Sequence, residues 1–256
     1  SNSLIVILFI ATVLIIYKTH VSKHMSTRDI SMHSAHVIRS ARNGEGEDKF
    51  FKFIKRRCKV VFDVGCAKSY FTNLDGVSVH YFDPVPECLD EIQARESNKE
   101  VYFNKFGLTD VPGSFPYYSE VMSFLDRRKT LPHRVTEPDK YLELRRADEY
   151  VEKHAINSID FLKVDVEGYE MNVFKGFGDH IKKVNIIQFE YGGCWIDNET
   201  KLTDAVSYLE DAGFVGFSRI YEGGVIPITQ PIVDDYEFSN IVCYNKNFAG
   251  SWQDIK

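Results

Sequence analysis

Phe161-Leu-Lys-Val-Asp-Val-Glu-Gly-Tyr-Glu170 begins as an apolar run and ends abruptly in acids and a glycine. Val61-Phe-Asp-Val-Gly65 and Tyr81-Phe-Asp-Pro84 do the same. Near-continuous apolar runs are what strands of a parallel sheet need when helices cover both faces. An open α/β sheet binds its ligand in the crevice beyond the carboxyl ends of its strands. Three acid-bearing strand ends therefore predict one nucleotide-like pocket with chemistry beside it.

The flanking sequence alternates between strand-like and helix-like segments, the pattern of a mostly parallel sheet. Strands are predicted at Lys59–Val64, Val77–Phe82, Val101–Asn104, Ser158–Val164, Val184–Glu190, Phe214–Tyr221 and Asn240–Asn245. Helices are predicted to open at Tyr70–Leu74 and to run over Pro86–Arg95, Ala147–His154 and Gly168–Gly176. Leu202, Ala205, Val206 and Leu209 follow i, i+3, i+4, i+7 and place an amphipathic helix over 201–212, stopped by Gly213. Residues 111–145 read as irregular and aromatic, a lid, a binding loop or a small added element, and a second loop is expected between the last two strands.

With 256 residues the chain can bury one α/β core. A net charge of −6 argues against nucleic acid as a partner, and Lys55-Arg-Arg57 and Arg127-Arg-Lys129 read as solvated faces. Five scattered cysteines without a C-x-x-C pair form neither a zinc ribbon nor a disulfide scaffold. Leu4–Tyr17 carries no charge and would span roughly 21 Å as a helix, against a bilayer core of about 30 Å. Residues 1–20 are read as a hydrophobic N-terminal membrane anchor, 21–57 as linker and peripheral helix, and 58–256 as the catalytic domain. The basic flank Lys18, His20, Lys23, His24, Arg28 favours the cytoplasmic side, with the orientation left open. The alternative is a buried N-terminal helix.

Asp63 and Gly65 end the first strand, and Gly65 permits a tight turn and close ligand approach. Asp83 ends the second, where a carboxylate can accept both hydroxyls of an adenosine ribose. A dinucleotide pocket asks for G-x-G-x-x-G, but the loop Gly65-Cys-Ala-Lys-Ser-Tyr70 has one glycine. Acids without a pyrophosphate cradle suit the sulfonium, ammonium and ribose diol of S-adenosylmethionine better than NAD. Methyl transfer needs the acceptor atom, methyl carbon and sulfur collinear, and a protic acceptor needs a base or a metal to take its proton. Asp165 is the first candidate base, with Glu190 and Glu167 beside it. Asp165 and Glu190 could instead share a proton or hold Mg²⁺ or Mn²⁺. Helix N-capping is the plain alternative for Asp165 and Glu167. Lys163 reads as structural, His133 and His154 as weaker base candidates, and Tyr117, Tyr118 and Tyr191 as faces for a sugar ring.

Phe62-Asp-Val-Gly65, Phe82-Asp-Pro-Val-Pro-Glu87, Gly107-Leu-Thr-Asp110, Ile159–Glu170 with Phe174-Lys-Gly176, and Ile187-Gln-Phe-Glu190 occur in the order and spacing of FkbM-type methyltransferases. The chain resembles that family over residues 58–245. The resemblance implies a Rossmann-like class I methyltransferase fold: a seven-stranded, mostly parallel sheet with an antiparallel last strand and helices on both faces. It further implies S-adenosylmethionine as donor, held by Asp63, Gly65, Cys66, Ala67, Asp83, Pro84, Gly107, Leu108 and Asp165, and O-methylation of a sugar or natural-product hydroxyl. The acceptor expected here is a carbohydrate or glycoconjugate. Where the family has a small-Asn-x-Gly run, this chain has Cys66-Ala-Lys-Ser69. The alternatives are a non-catalytic binding protein of the same fold or another nucleotide-dependent enzyme on a similar sheet.

Overall fold

The computed structural model describes residues 45–67, 69–124, 137–221 and 224–247. The expected N-terminal anchor, His133 and the Arg127-Arg-Lys129 cluster lie outside them. Among the described residues no helix is long and apolar enough to cross a membrane.

The chain runs α1 (Glu45–Ile54), a 3₁₀ turn (Lys55–Arg57), β1 (Val60–Val64), β2 (Ser78–Phe82), α2 (Pro86–Gln93) and β3 (Val101–Asn104). Three strands of a side sheet follow in β4 (Gly107–Leu108), β5 (Gly113–Tyr117) and β6 (Lys140–Arg145). Then come α3 (Ala147–Lys153), β7 (Ile159–Val164), α4 (Glu170–Gly176), β8 (Val184–Tyr191), α5 (Cys194–Asp197), α6 (Leu202–Asp211), β9 (Phe214–Tyr221), β10 (Gly224–Pro227) and β11 (Ser239–Asn245).

The main sheet has the order β10-β9-β11-β8-β7-β1-β2-β3. Strands β3, β2, β1, β7 and β8 are parallel neighbours, and β11 runs antiparallel to both β8 and β9. This is the Rossmann-like class I methyltransferase sheet with its reversed last strand. It carries eight strands rather than the expected seven. The extra one, β10, lies where a loop was expected, because Val225 and Ile226 continue a hairpin against Ile220 and Arg219.

Residue parity sorts the strands between two cores. Phe62, Val64, Leu162, Val164, Ile187 and Phe189 face one, packed with α3, α4 and α6. Val61, Val79, Tyr81, Phe161, Ile186 and Val242 face the other. The second core is closed by α1, which falls in the stretch expected as linker and peripheral helix. Its Phe51 and Ile54 are buried, and Phe51 packs edge-on against Phe71 at 4.6 Å between ring centroids.

The helix expected at Tyr70–Leu74 is replaced by turns. Asn73 adopts φ +61° and Gly76 φ +68°, and the Asn73 amide donates to Glu96 Oε1 at 2.9 Å. Phe71 is buried beneath α1, which covers the face such a helix would otherwise take. The stretch expected to be irregular holds the side sheet, ordered β4-β6-β5. In β6, Leu142 and Leu144 are buried while Tyr141 and Glu143 are exposed, a two-residue alternation.

Phe51→Ala should destabilise the protein by about 3–5 kcal/mol, the usual cost of truncating a core phenylalanine. Urea unfolding of the wild type and the variant would measure it, and a loss below about 1 kcal/mol would mean that α1 is peripheral after all.

Candidate functional site

Register sets Asp63 beside Lys163 and Lys163 beside Gln188 across β1, β7 and β8. All three are buried, one pleat short of the strand tips. Polar side chains in that setting need partners. Lys163 Nζ lies 3.0 Å from Asp165 Oδ2 and 4.0 Å from Asp63 Oδ1. Burial pushes the Lys163 ammonium towards neutrality, but Asp165 and Asp63 outweigh it and hold the charge. Asp63 is fully buried and neither oxygen accepts a well-formed hydrogen bond, although the Ser69 hydroxyl faces it. Burial pushes Asp63 up to about 6.

The tips of β1 and β7 meet at Gly65. Its amide donates to Phe82 O at 2.9 Å, and the Asp165 amide donates to Val64 O at 2.9 Å. Gly65 has φ +77°, and a Cβ there would stand 1.8 Å from the Asp165 carbonyl oxygen. Only glycine fits that approach. Asp83, the residue after the end of β2, accepts the Val85 amide at 2.9 Å, and burial pushes it up to about 6. The Asp63 charge acts on Asp83, and that of Asp165 on Asp63. The structure thus brings all three expected acids to one crevice. Cys66 is buried and its thiol is pushed well up by burial, so it is no nucleophile, while Ala67 is exposed. Gly107 and Leu108 are buried in β4, and a Cβ on Gly107 would lie 3.4 Å from Pro84 Cγ.

These residues fit S-adenosylmethionine on two counts. An orphaned, fully buried carboxylate sits beside an acid pair that Lys163 does not neutralise, so added positive charge would be stabilised there. The Gly65 approach leaves backbone open where a Cβ would intrude.

The remaining acids divide by environment. Burial, and then the charges of Asp165, Glu167 and Glu170, push the Glu190 carboxyl well above its ordinary range. Its carbonyl accepts Trp195 Nε1 at 3.0 Å. Glu167, at φ +57°, accepts the Cys194 thiol at 2.9 Å. Neither Asp165 nor Glu167 caps α4, which has no side-chain cap. Instead Glu170 Oε1 accepts the amides of Val166 at 3.0 Å and Gly168 at 3.3 Å. The expected divalent site at Asp165 and Glu190 is not formed. Asp165 is paired to an ammonium, and no three His, Cys, Asp or Glu side chains converge among the described residues.

Of the aromatic candidates, Tyr117 stands at the crevice, feeling the charges of Asp83 and Glu167, and packs on Phe124 at 5.3 Å. Phe124 in turn meets Tyr169 at 5.6 Å. Lys140 reaches Glu87 at 3.0 Å and fastens the side sheet to α2. Tyr191 is no sugar platform: it is buried, and its hydroxyl accepts the Tyr236 amide at 2.7 Å. Tyr118 is buried and paired with Ser123. His154 stacks on Tyr150 at the amino ends of the strands, far from the tips, beside a hollow of about 530 Å³ lined by His80, Tyr102 and Asp160. The converging acids lie at the opposite end of the sheet.

Sequence reasoning missed Glu47, Gln188 and Asn240, and took Lys163 as structural. Glu47 Oε2 accepts Gln188 Nε2 at 2.7 Å, and Oε1 accepts Asn240 Nδ2 at 2.7 Å. A usable signal was present: Lys163 and Gln188 are polar interruptions at matching positions of otherwise apolar strands.

Residues 63–215 match the family model described as the methyltransferase FkbM domain. No curated protein matches. Among solved structures, methyltransferase FkbM from Methylobacillus flagellatus KT is similar at 12% identity and TM-score 0.44, over 73% of this chain and 44% of that one. The chain thus spans under half the length of that protein. Precorrin-6y C5,15-methyltransferase from Geobacter metallireducens GS-15 is similar at 13% identity and TM-score 0.36, over 73% of this chain and 82% of that one.

Glu170 yields a pH prediction. Burial raises its carboxyl from the ordinary 4.5 to about 8, so the folded state binds the proton more tightly than the unfolded one. Its contribution to stability is full below about 4.5 and lost as pH rises through about 8. Glu170→Gln keeps an acceptor for Val166 and Gly168 but cannot ionise. Its melting temperature should fall less than that of the wild type between pH 5 and 9. Parallel curves would sink the assignment.

Proposed function

The chain belongs to the methyltransferase FkbM domain family, and on that premise we propose that it transfers the methyl group of S-adenosylmethionine to a hydroxyl oxygen of a carbohydrate or glycoconjugate. The observation that carries the reading is the buried Asp63 carboxylate, which accepts no well-formed hydrogen bond and shares the single Lys163 ammonium with Asp165. An uncompensated acid in low dielectric attracts a cation strongly. Bound there, S-adenosylmethionine would supply an electrophilic methyl group.

The chain's own residues would bind, orient and exclude water. Asp83 at the tip of β2 is placed to accept the ribose hydroxyls. Asp63 and Asp165 are placed to hold positive charge, with Lys163 fixing the angle of Asp165. Glu190, its carboxyl raised by burial and by neighbouring acids, is better suited to donating a hydrogen bond to an acceptor oxygen than to removing its proton. Asp165, the base expected first, is held in an ion pair and serves better as an anchor. Tyr117, Phe124 and Tyr169 offer an aromatic edge for a sugar face. The segment Leu4–Tyr17 would tether the domain to a membrane, which suits a glycoconjugate acceptor.

Calorimetry of the purified protein should show S-adenosylmethionine binding, and Asp83→Ala should weaken it about 10–100-fold, the range for losing a charge-assisted hydrogen bond. No heat with either this ligand or S-adenosylhomocysteine would overturn the reading. Incubating released glycans with ¹³C-methyl donor should give a methyl group stable to mild alkali, as an ether is and an ester is not.

A further inference from the structure

Asp83 and Asp63 place the adenosine side of the crevice over β2 and β1, so the transferable methyl lies towards β7. The acceptor then approaches from β8 and β11. That side is walled by α1, upstream of the matched residues 63–215, and α1 sends Glu47 there. Two amides from different strands, Gln188 of β8 and Asn240 of β11, fix the carboxylate at 2.7 Å each. Asn240 pairs in register with Glu190, so the bracket stands at the tip of β8.

We propose that Glu47 is the general base that takes the proton of the acceptor hydroxyl. This rests on the methyltransferase reading. The acceptor's O–H bond breaks, its oxygen lone pair forms the new C–O bond, and the methyl C–S bond breaks to leave a neutral thioether. The proton ends on Glu47.

The other acids are committed elsewhere. Asp165 is ion-paired with Lys163, burial and three neighbouring acids raise the Glu190 carboxyl, and Glu167 accepts the Cys194 thiol. Asp63 and Glu170 have no exposed surface. Glu47 is partly exposed, and its two amide donors leave lone pairs free to accept a proton. The groups facing it are Lys163 and Asp165 from β7, Asp63 from β1 and Tyr70 from the loop after β1. Burial, partly opposed by Lys163, holds its carboxyl at about 7, where a general base is most effective.

The test follows the Glu47 carboxyl by ¹³C NMR in the cofactor-free protein, with Glu47→Gln identifying the resonance. A titration midpoint near 7 is expected. S-adenosylmethionine should lower it by about one pH unit. S-adenosylhomocysteine, neutral at sulfur, should lower it by clearly less. Equal effects of the two would mean that Glu47 does not face the sulfonium, and would overturn the proposal while leaving the methyltransferase reading intact. Failure of the wild type to bind either ligand would overturn both. With released glycans as acceptor, Glu47→Gln should lose about 10²-fold or more in kcat and the ascending limb of the pH profile. Its affinity for S-adenosylmethionine should match the wild type near pH 5 and fall by up to about tenfold above pH 7, the linked counterpart of the one-unit shift, and Glu47→Asp should recover part of the rate. A Glu47→Gln enzyme with the wild-type rate and pH profile would overturn the assignment.

Discussion

The site turns on one buried ammonium among too many carboxylates. Lys163 is held in the sheet interior by Asp165 and Asp63, and it influences Glu47 as well. Taking a charge out of water is costly, and only a close opposite charge offsets it. Here the compensation overshoots on the acidic side. The imbalance is what makes the crevice receptive to a cationic ligand, and it explains why several acids sit above their ordinary range. Burial without a partner and burial beside like charge push in the same direction.

Around that centre the sheet assigns work by position. Tips over β1 and β2 carry the acids suited to a nucleoside, and Gly65 lets the backbones at the tips of β1 and β7 come close. Tips over β8 and β11 carry the amides that hold Glu47. The side sheet and its aromatic edge lean over from a third direction, tied down by Lys140 and Glu87. Glu170 shapes the loop between β7 and α4 from beneath, through backbone amides rather than helix capping.

Much of this was legible in the sequence. The acid-ended strands were readable because a doubly covered parallel strand is a run of apolar residues, so Asp63, Asp83 and Asp165 stand out at its end. What was hidden depends on distance or on competition. Lys163 looks like a local anomaly until Asp63 and Gln188 are known to lie beside it, which only register reveals. Glu47 sits in the acidic first turn of an amphipathic decapeptide with nothing to mark it, 141 residues before its Gln188 partner. The turn at 70–76 lost its helix because α1 took the space, a tertiary outcome that local propensity cannot show. β6 did carry a readable alternation, obscured by a proline-bearing, aromatic neighbourhood. β10 is short and follows a Gly-Gly pair that reads as a turn.

The bracket around Glu47 joins residues 193 positions apart, from an early helix to the last strand. Long-range pairings of this kind close late, because the chain between must first be organised. During synthesis the acceptor side therefore stays incomplete until β11 has emerged and inserted between β8 and β9. On the proposed reading, a nascent chain can hold its nucleoside-side acids before the Glu47 bracket exists, because Asn240 joins that bracket only once β11 has been made.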